Sequence, residues 1–446
     1  MFIVAVIEGR CQHRDHQNED QNQDGRDDRK KRFSLAGLIR DFSGELARRC
    51  RLSSHHWKVL NTLKECRGGK LGTVVMYCEE CGEDYDFNLS CGDRHCPRCS
   101  GARVEQWREA QSEALLPVPY YHLVFTLPHV LNALIRDNRK ELYGLLFEKA
   151  VEVLQQFAEQ EYGGKLGITA VLHTWGQTLC EHYHLHLLIP GGVWVEGEGE
   201  DGGEAGGRWR AGRASCLVPV RPVAECFRGA FLKGVEELYE AGGLSFHSEE
   251  SRQRREAGAF RNWLQVAARP KWNVFSEKSR VGPAGAVNYL ARYSHRVALS
   301  EGRVREVSPG QAGSPAGQET GERAFELSYV DNRDGKAKKL VLSGVELLRR
   351  FAWHILPRGF VRVRHFGFLS AGTRARRLER IRGSIQAQGL AVMPAPAGKA
   401  GAVARSGNQG RVICPGCRRA PLRWLMTLVR EGKPGPEELP LIWDTS

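Results

Sequence analysis

A chain of 446 residues that is 41% hydrophobic has room for about three domains and enough apolar surface for a sizeable core, which excludes a disordered protein. The excess of 65 Lys and Arg over 52 Asp and Glu gives a formal charge of +13, so long-range attraction and counterion release favour a polyanionic partner, with nucleic acid the leading candidate. No stretch approaches the roughly 18 consecutive apolar residues that span a bilayer. The opening MFIVAVIEGRC lacks a positive n-region and a small-residue cleavage site, so the expected location is cytoplasmic.

In chain order, residues 1–32 include the mixed-charge tract QHRDHQNEDQNQDGRDDRKKR, which cannot bury enough apolar surface to order itself and reads as a disordered polar tail. From Phe33 to about Leu63 the apolar spacing predicts amphipathic helices leading into a cysteine-rich segment, together a helical zinc-binding domain over 33–115. YYHLVFTLP at 120–128 predicts a strand ended by proline, and LNALIRDNRKELYGLLFEKAVEVLQQF at 131–157 a long helix. GITAVLHTWGQTL and YHLHLLIP predict two further strands, followed by a Gly/Glu-rich excursion that CLVPV closes. Hairpins mixed with crossing helices give an α+β class with an antiparallel sheet, assigned to a second domain over 116–382. Residues 306–323 and 394–410 are Gly/Ala/Pro/Ser/Gln-rich and read as a loop and a linker, and 383–446 as linker plus a C-terminal tail containing CPGC.

Of 13 cysteines, five lie between Cys78 and Cys99, a crowding that suggests thiolates kept reduced for metal. CEEC at 78–81 and CPRC at 96–99 are two knuckles 14 residues apart, a spacing that lets Cys78, Cys81, Cys96 and Cys99 hold one tetrahedral Zn²⁺. Cys91 and His95 lie close enough to substitute for a ligand, and Cys66 is a remoter candidate. Such a full thiolate set leaves no open position, so the zinc is structural. Cys414 and Cys417 supply half a site, to pair with other residues, with another subunit or with nothing.

His184 and His186 in EHYHLHLLIPGG are two apart, hence on one face of a strand, where two imidazoles chelate one cation. Tyr289 and Tyr293 in NYLARYSHRVALS are i and i+4, so on a helix both phenols leave the same face, amid Arg292, His295 and Arg296. Farther on, PRGFVRVRHFGFLSAGTRARRLERIR at 357–382 interleaves Arg358, Arg362 and Arg364 with phenylalanines. Arginines there would neutralise phosphates while rings stack on unpaired bases, at roughly 1–3 kcal/mol per base.

Five landmarks in order, SCGDRHCPRCSG, LLPVPYYHLVFTLPH, LHTWGQTLCEHYHLHLLIPGG, AVNYLARYSHRVALS and LLRRFAWHILPRGFVRVRHFGFL, resemble the HUH-type, two-tyrosine rolling-circle transposases of the insertion-sequence ninety-one group. The chain departs from that pattern in its polar N-terminal tail, at Gly92-Asp93 and in the acidic insert at 193–206. The resemblance implies an HUH-type antiparallel-sheet nuclease domain with helices on the sheet, in a bacterial, nucleoid-associated protein. It further implies nicking and rejoining of single-stranded DNA at element ends and target, with a 5′-phosphotyrosine on Tyr289 or Tyr293. His184 and His186 would hold catalytic Mg²⁺ or Mn²⁺ beside the structural Zn²⁺. A rolling-circle replication initiator or relaxase shares this chemistry, and a non-catalytic zinc-dependent DNA-binding protein is the reading from another class.

Two imidazoles leave a third metal ligand to be found. If the two central strands form a hairpin with a tight turn that sets Thr178 opposite Tyr183, Gln177 faces His184 and offers a hard amide oxygen. His173 then sits farther along the same face and His182 nearer the turn.

Overall fold

The computed structural model describes residues 33–112, 114–197, 207–213, 217–279, 285, 297–307, 323–331, 333–372, 374–390 and 412–428. Near the start, α1 (Leu35–Arg49) and α2 (Ser54–Lys64) each begin at a serine cap, with Gly37 N–H donating to Ser34 Oγ at 3.0 Å and His56 N–H to Ser53 Oγ at 3.4 Å. Leu35, Leu38, Ile39, Phe42 and Leu46 recur at helical spacing and are buried, so α1 turns one apolar stripe inward. The expected helical domain also contains a hairpin, β1 (Thr73–Cys78) and β2 (Glu83–Asn88), before α3 (Ser100–Ser112).

Next come β3 (Tyr120–Thr126), α4 (Asn132–Asp137), α5 (Arg139–Tyr162), β4 (Gly167–Trp175), β5 (Glu181–Pro190), the hairpin β6 (Gly192–Glu196) and β7 (Gly207–Ala211), α6 (Val220–Glu240), α7 (Glu249–Arg252), α8 (Ala257–Ala268) and β8 (Asn273–Lys278). The helix expected over 131–157 is therefore two. Asn138 breaks it: its side-chain amide donates to Leu134 O and Ser245 O, and its Oδ1 accepts Ser245 N–H, which fixes a non-helical backbone there. The chain then forms β9 (Val304–Val307), β10 (Ala324–Val330), β11 (Ala337–Ser343), α9 (Gly344–Ala352), β12 (Val363–Gly367), α10 (Arg374–Ala387) and β13 (Arg423–Leu428).

Five antiparallel strands in the order β12-β4-β5-β3-β8 make the central sheet. Alternation along β3, β4 and β5 sends Leu123, Phe125, Leu172, Tyr183, Leu185 and Leu187 to one face, where they share a core with Leu146 and Phe147 of α5 and Phe227 and Phe231 of α6. Each such side chain contributes about 1.5–3 kcal/mol by leaving water, so this seam is the main source of the domain's stability. On the opposite face Tyr120, Val171 and Leu188 join Leu378, Ile381 and Ile385 of α10 in a smaller core, and the histidines occupy the rest of that face near the β4-β5 turn. Among the described residues no helix is long and apolar enough to cross a membrane.

A second core fastens the N-terminal module to the rest. Leu38, Ile39 and Phe42 of α1 join Phe325 and Leu327 of β10, Leu347, Leu348 and Phe351 of α9, and Leu179 of the turn between β4 and β5. Gly344 lets α1 and α9 approach: a Cβ there would lie 2.2 Å from Phe42 Cζ. Residues 412–428 are no free tail, because β13 pairs with β1 and extends its hairpin to three strands in the order β13-β1-β2.

Candidate functional site

The polar face of the central sheet carries the site. His184 and His186 of β5 point the same way because they are two residues apart, and the register sets His173 of β4 directly opposite His184. Their ligand nitrogens all lie within 4.8 Å of one another, with ring centroids 4.6 Å apart for His173 and His186 and 4.9 Å for His184 and His186. All three are buried. His184 Nδ1 lies 2.8 Å from His182 O, and since a carbonyl only accepts, Nδ1 bears the proton and Nε2 keeps its lone pair. Burial, together with the charge of His182, pushes His184 down to about 3, so its imidazole is neutral at neutral pH. His122 of β3 stacks on His186 with its Nε2 2.9 Å from His186 Nδ1, and burial holds it at about 4. A nitrogen-only, convergent set of this kind fits one divalent cation, and it tolerates Mn²⁺ better than Mg²⁺, which prefers oxygen.

The expected third ligand, Gln177, does not take that place. β4 ends at Trp175, and the turn closes with Gly176 N–H donating to Cys180 O at 2.9 Å and Leu179 N–H to Gly176 O at 3.1 Å. Leu179 adopts a positive φ of 59° and is buried, while Arg303 donates to the Gln177 carbonyl and Arg350 to that of Thr178 at 3.0 Å. This longer turn, plus a register irregularity between His173 and Trp175, replaces the tight turn that would have brought Gln177 opposite His184. The displacement is four residues (177 − 173), an even number, so the residue that arrives still shares the face, and it is His173. His122, which sequence reasoning passed over, had a signal of its own: a lone histidine in the apolar run YYHLVFT.

Tyr289, Tyr293, Arg292, His295 and Arg296 lie outside the described residues. The later arginines do not form one row. Arg362 lies on the histidine side, its Nε donating to Leu172 O at 3.1 Å and its guanidinium 5.1 Å from the Trp175 ring, and its charge is among those that depress His184. Burial first, and the nearby Arg94 charge second, lower Arg362 to about 9. Arg364 pairs with Ala170 and sits over Phe147 at 4.3 Å, on the helix-covered side. Arg358 is exposed in a turn whose carbonyls, Pro357 O and Phe360 O, accept from Arg94 at 2.9 and 2.5 Å.

The four cysteines expected around one zinc are divided. Cys96 and Cys99 meet Cys66 and Cys91, whereas Cys78 and Cys81 meet Cys414 and Cys417. The reason lies in the β1-β2 hairpin, which carries the first knuckle at its own tip, away from the loop of the second. In the first cluster the sulfurs are 3.6 Å (Cys66–Cys96), 3.7 Å (Cys66–Cys99) and 3.8 Å (Cys91–Cys99) apart. Zn–S bonds of about 2.3 Å give a tetrahedron with edges of about 3.8 Å, so this set fits a structural zinc. Hydrogen bonds from Cys66, Cys91 and Cys96 hold the Cys99 thiol well below its ordinary range. His95 is no ligand: its Nδ1 pairs with Asp93 Oδ1 at 2.8 Å and its Nε2 accepts Leu356 N–H at 3.1 Å.

Residues 167–377 match the family model described as "Putative transposase", and residues 38–127 match that described as "Transposase zinc-binding domain". "Putative transposase y4qJ" of Sinorhizobium fredii is 35% identical over 404 residues, which covers 89% of this chain and 94% of that protein. "Transposase for insertion sequence element IS801" of Pseudomonas savastanoi pv. phaseolicola is 28% identical over 290 residues, 63% of this chain and 62% of that protein. No solved structure matches the chain.

Proposed function

The chain belongs to the insertion-sequence ninety-one family of transposases, with an N-terminal zinc-binding domain, and from that premise we propose that it nicks and rejoins single-stranded DNA during rolling-circle transposition. The observation that carries the proposal is the convergence of His173, His184 and His186 on one buried spot of the sheet. A divalent ion held there would polarise a non-bridging oxygen of the scissile phosphate and so lower the cost of the charge that builds during attack.

Tyr289 and Tyr293 supply the nucleophiles. The phenolate Oη attacks phosphorus, the P–O3′ bond breaks, the departing 3′ oxygen takes a proton, and the 5′ phosphate stays on the tyrosine. Attack by a 3′-hydroxyl reverses the step and rejoins the strand, so no nucleotide hydrolysis is required. With two phenols, one holds a DNA end while the other cleaves the next. Arg292, His295 and Arg296 are adjacent in sequence and favour the phenolate, whose parent phenol has a pKa of about 10. Arg358 and Arg362 serve as backbone contacts, and the placement of Arg362 on the histidine side supports that role.

The test is a nicking assay on single-stranded and duplex oligonucleotides copied from the ends of the element that encodes the chain. Cleavage of the single strand that needs Mn²⁺ or Mg²⁺ and stops with chelator supports the reading. Equal cleavage of both forms, or cleavage that chelator leaves intact, contradicts it.

A further inference from the structure

The structure assigns a second structural zinc site, built by Cys78 and Cys81 of the N-terminal hairpin together with Cys414 and Cys417, far along the chain. Neither matched family region contains Cys414 or Cys417, since these end at residues 127 and 377. The four sulfurs lie within 4.8 Å of one another. Cys78 and Cys417 are 3.9 Å apart and Cys81 and Cys414 3.6 Å, bracketing the edge of about 3.8 Å that Zn–S bonds of about 2.3 Å produce.

Both doublets adopt the same knuckle. Gly82 N–H donates to Cys78 O at 2.9 Å and Arg418 N–H to Cys414 O at 2.9 Å, and the two residues share a left-handed backbone, φ 69° and 56°. Arg418 is not glycine, so its backbone adopts this conformation where its surroundings impose it. Backbone donors also reach the sulfurs: Cys81 N–H lies 3.4 Å from Cys78 Sγ, and Ala420 N–H 3.5 Å from Cys417 Sγ.

Space and packing argue for a structural role. At Gly416 a Cβ would come within 2.3 Å of Tyr85 Oη and 3.5 Å of both Cys414 Sγ and Cys81 Sγ, so the backbone packs closely against the thiols. Among the described residues, the buried apolar side chains of this region besides the cysteines are Val74, Met76, Ala420 and Leu422. β13 exposes Trp424, Leu425, Met426 and Leu428, so little hydrophobic burial fastens residues 412–428 to β1. A core this small is held by metal rather than by its own packing. The site joins residues separated by 339 positions, as in the Cys78–Cys417 contact, and its ion is what keeps the C-terminal segment docked on the N-terminal module.

The experiment counts zinc in the reduced full-length chain by plasma mass spectrometry. The double variant Cys414→Ser/Cys417→Ser is expected to carry one zinc fewer per chain than the parent, and parental zinc content in that variant overturns the proposal. A second measurement uses the unaltered chain and so does not depend on the variant folding. N-ethylmaleimide labelling with peptide mapping should show Cys414 and Cys417 reacting about tenfold or more slowly before chelation than after. Equal rates before and after zinc removal contradict the site.

Discussion

His173 on β4 stands across the ladder from His184 on β5, with their ring centroids 5.3 Å apart, and it completes with His186 a set of three imidazoles on one face. His173→Ala should therefore raise the Mn²⁺ concentration that half-saturates the chain by about 10–100-fold, the usual penalty for disturbing a metal's immediate surroundings. Manganese electron paramagnetic resonance measures this without activity. Gln177→Ala, in the turn beyond the strand, should overlay the parent titration, and a shift there equal to that of His173→Ala would return the third ligand to Gln177.

Loss of the Cys66–Cys91–Cys96–Cys99 zinc should not stay local. Leu38 and Phe42 of α1 share a core with Leu347, Leu348 and Phe351 of α9, so disorder in the zinc module exposes surface of the neighbouring sheet as well. Cys66→Ser/Cys91→Ser is expected to lower stability by several kcal/mol, on the order of half what structural zinc supplies in small fingers, about 10 kcal/mol. Hydrogen exchange should show protection lost in both α1 and α9. Loss confined to 33–112 would mean that the two units fold independently.

Glu181 is nearly buried, with its carboxylate 2.6 Å from Arg136 Nη2 and accepting from Tyr183 Oη at 2.6 Å. Burial alone would raise its pKa, but the bonds from Arg136 and Tyr183 outweigh burial and leave it below the ordinary carboxylate value. A carboxylate depressed in the folded state stabilises above its unfolded pKa of about 4.3, and that contribution disappears as pH falls through the lower folded value. Glu181→Ala should cost about 1–3 kcal/mol at neutral pH, because Tyr183 Oη loses its acceptor and Arg136 keeps only the exposed Glu250 as an ion-pair partner, and its denaturant midpoint should fall less steeply below about pH 4 than the parent's. Parallel acid limbs would remove Glu181 from the account.

Gly367 ends β12 with φ 60°, and a Cβ there would sit 1.7 Å from Leu166 O, which is backbone and unable to swing aside. Gly367→Ala should destabilise by about 2–3 kcal/mol, combining the left-handed penalty with displacement of the β4 entry. Thermal melts of the two proteins check this, and an unchanged midpoint would show that the strand end is free to move.

The histidine face was legible in the sequence because strand period is fixed at two: His184 and His186 had to share a side, and any even slip of register kept a β4 residue on it. The slip itself was not legible. A buried Leu179 at positive φ and the irregularity before Trp175 are settled by packing against α9 and by Arg303 and Arg350, all more than 100 residues away. The knuckles were equally visible as doublets, but local spacing cannot say which doublets meet. Only the pairing of β13 with β1 brings Cys414 and Cys417 to Cys78 and Cys81. Asn138 is a third case, since the break between α4 and α5 depends on Ser245, 107 residues on.

The central claim, strand transfer through tyrosine, is tested most directly by trapping the covalent product. The chain is incubated with Mn²⁺ and a single-stranded end oligonucleotide, digested with protease, and the DNA-linked peptide sequenced by mass spectrometry. The account predicts a 5′-phosphate ester on Tyr289 or Tyr293, lost in Tyr289→Phe/Tyr293→Phe while binding to the same oligonucleotide persists. A DNA-linked peptide that maps elsewhere, or an undiminished adduct in the double variant, would contradict it.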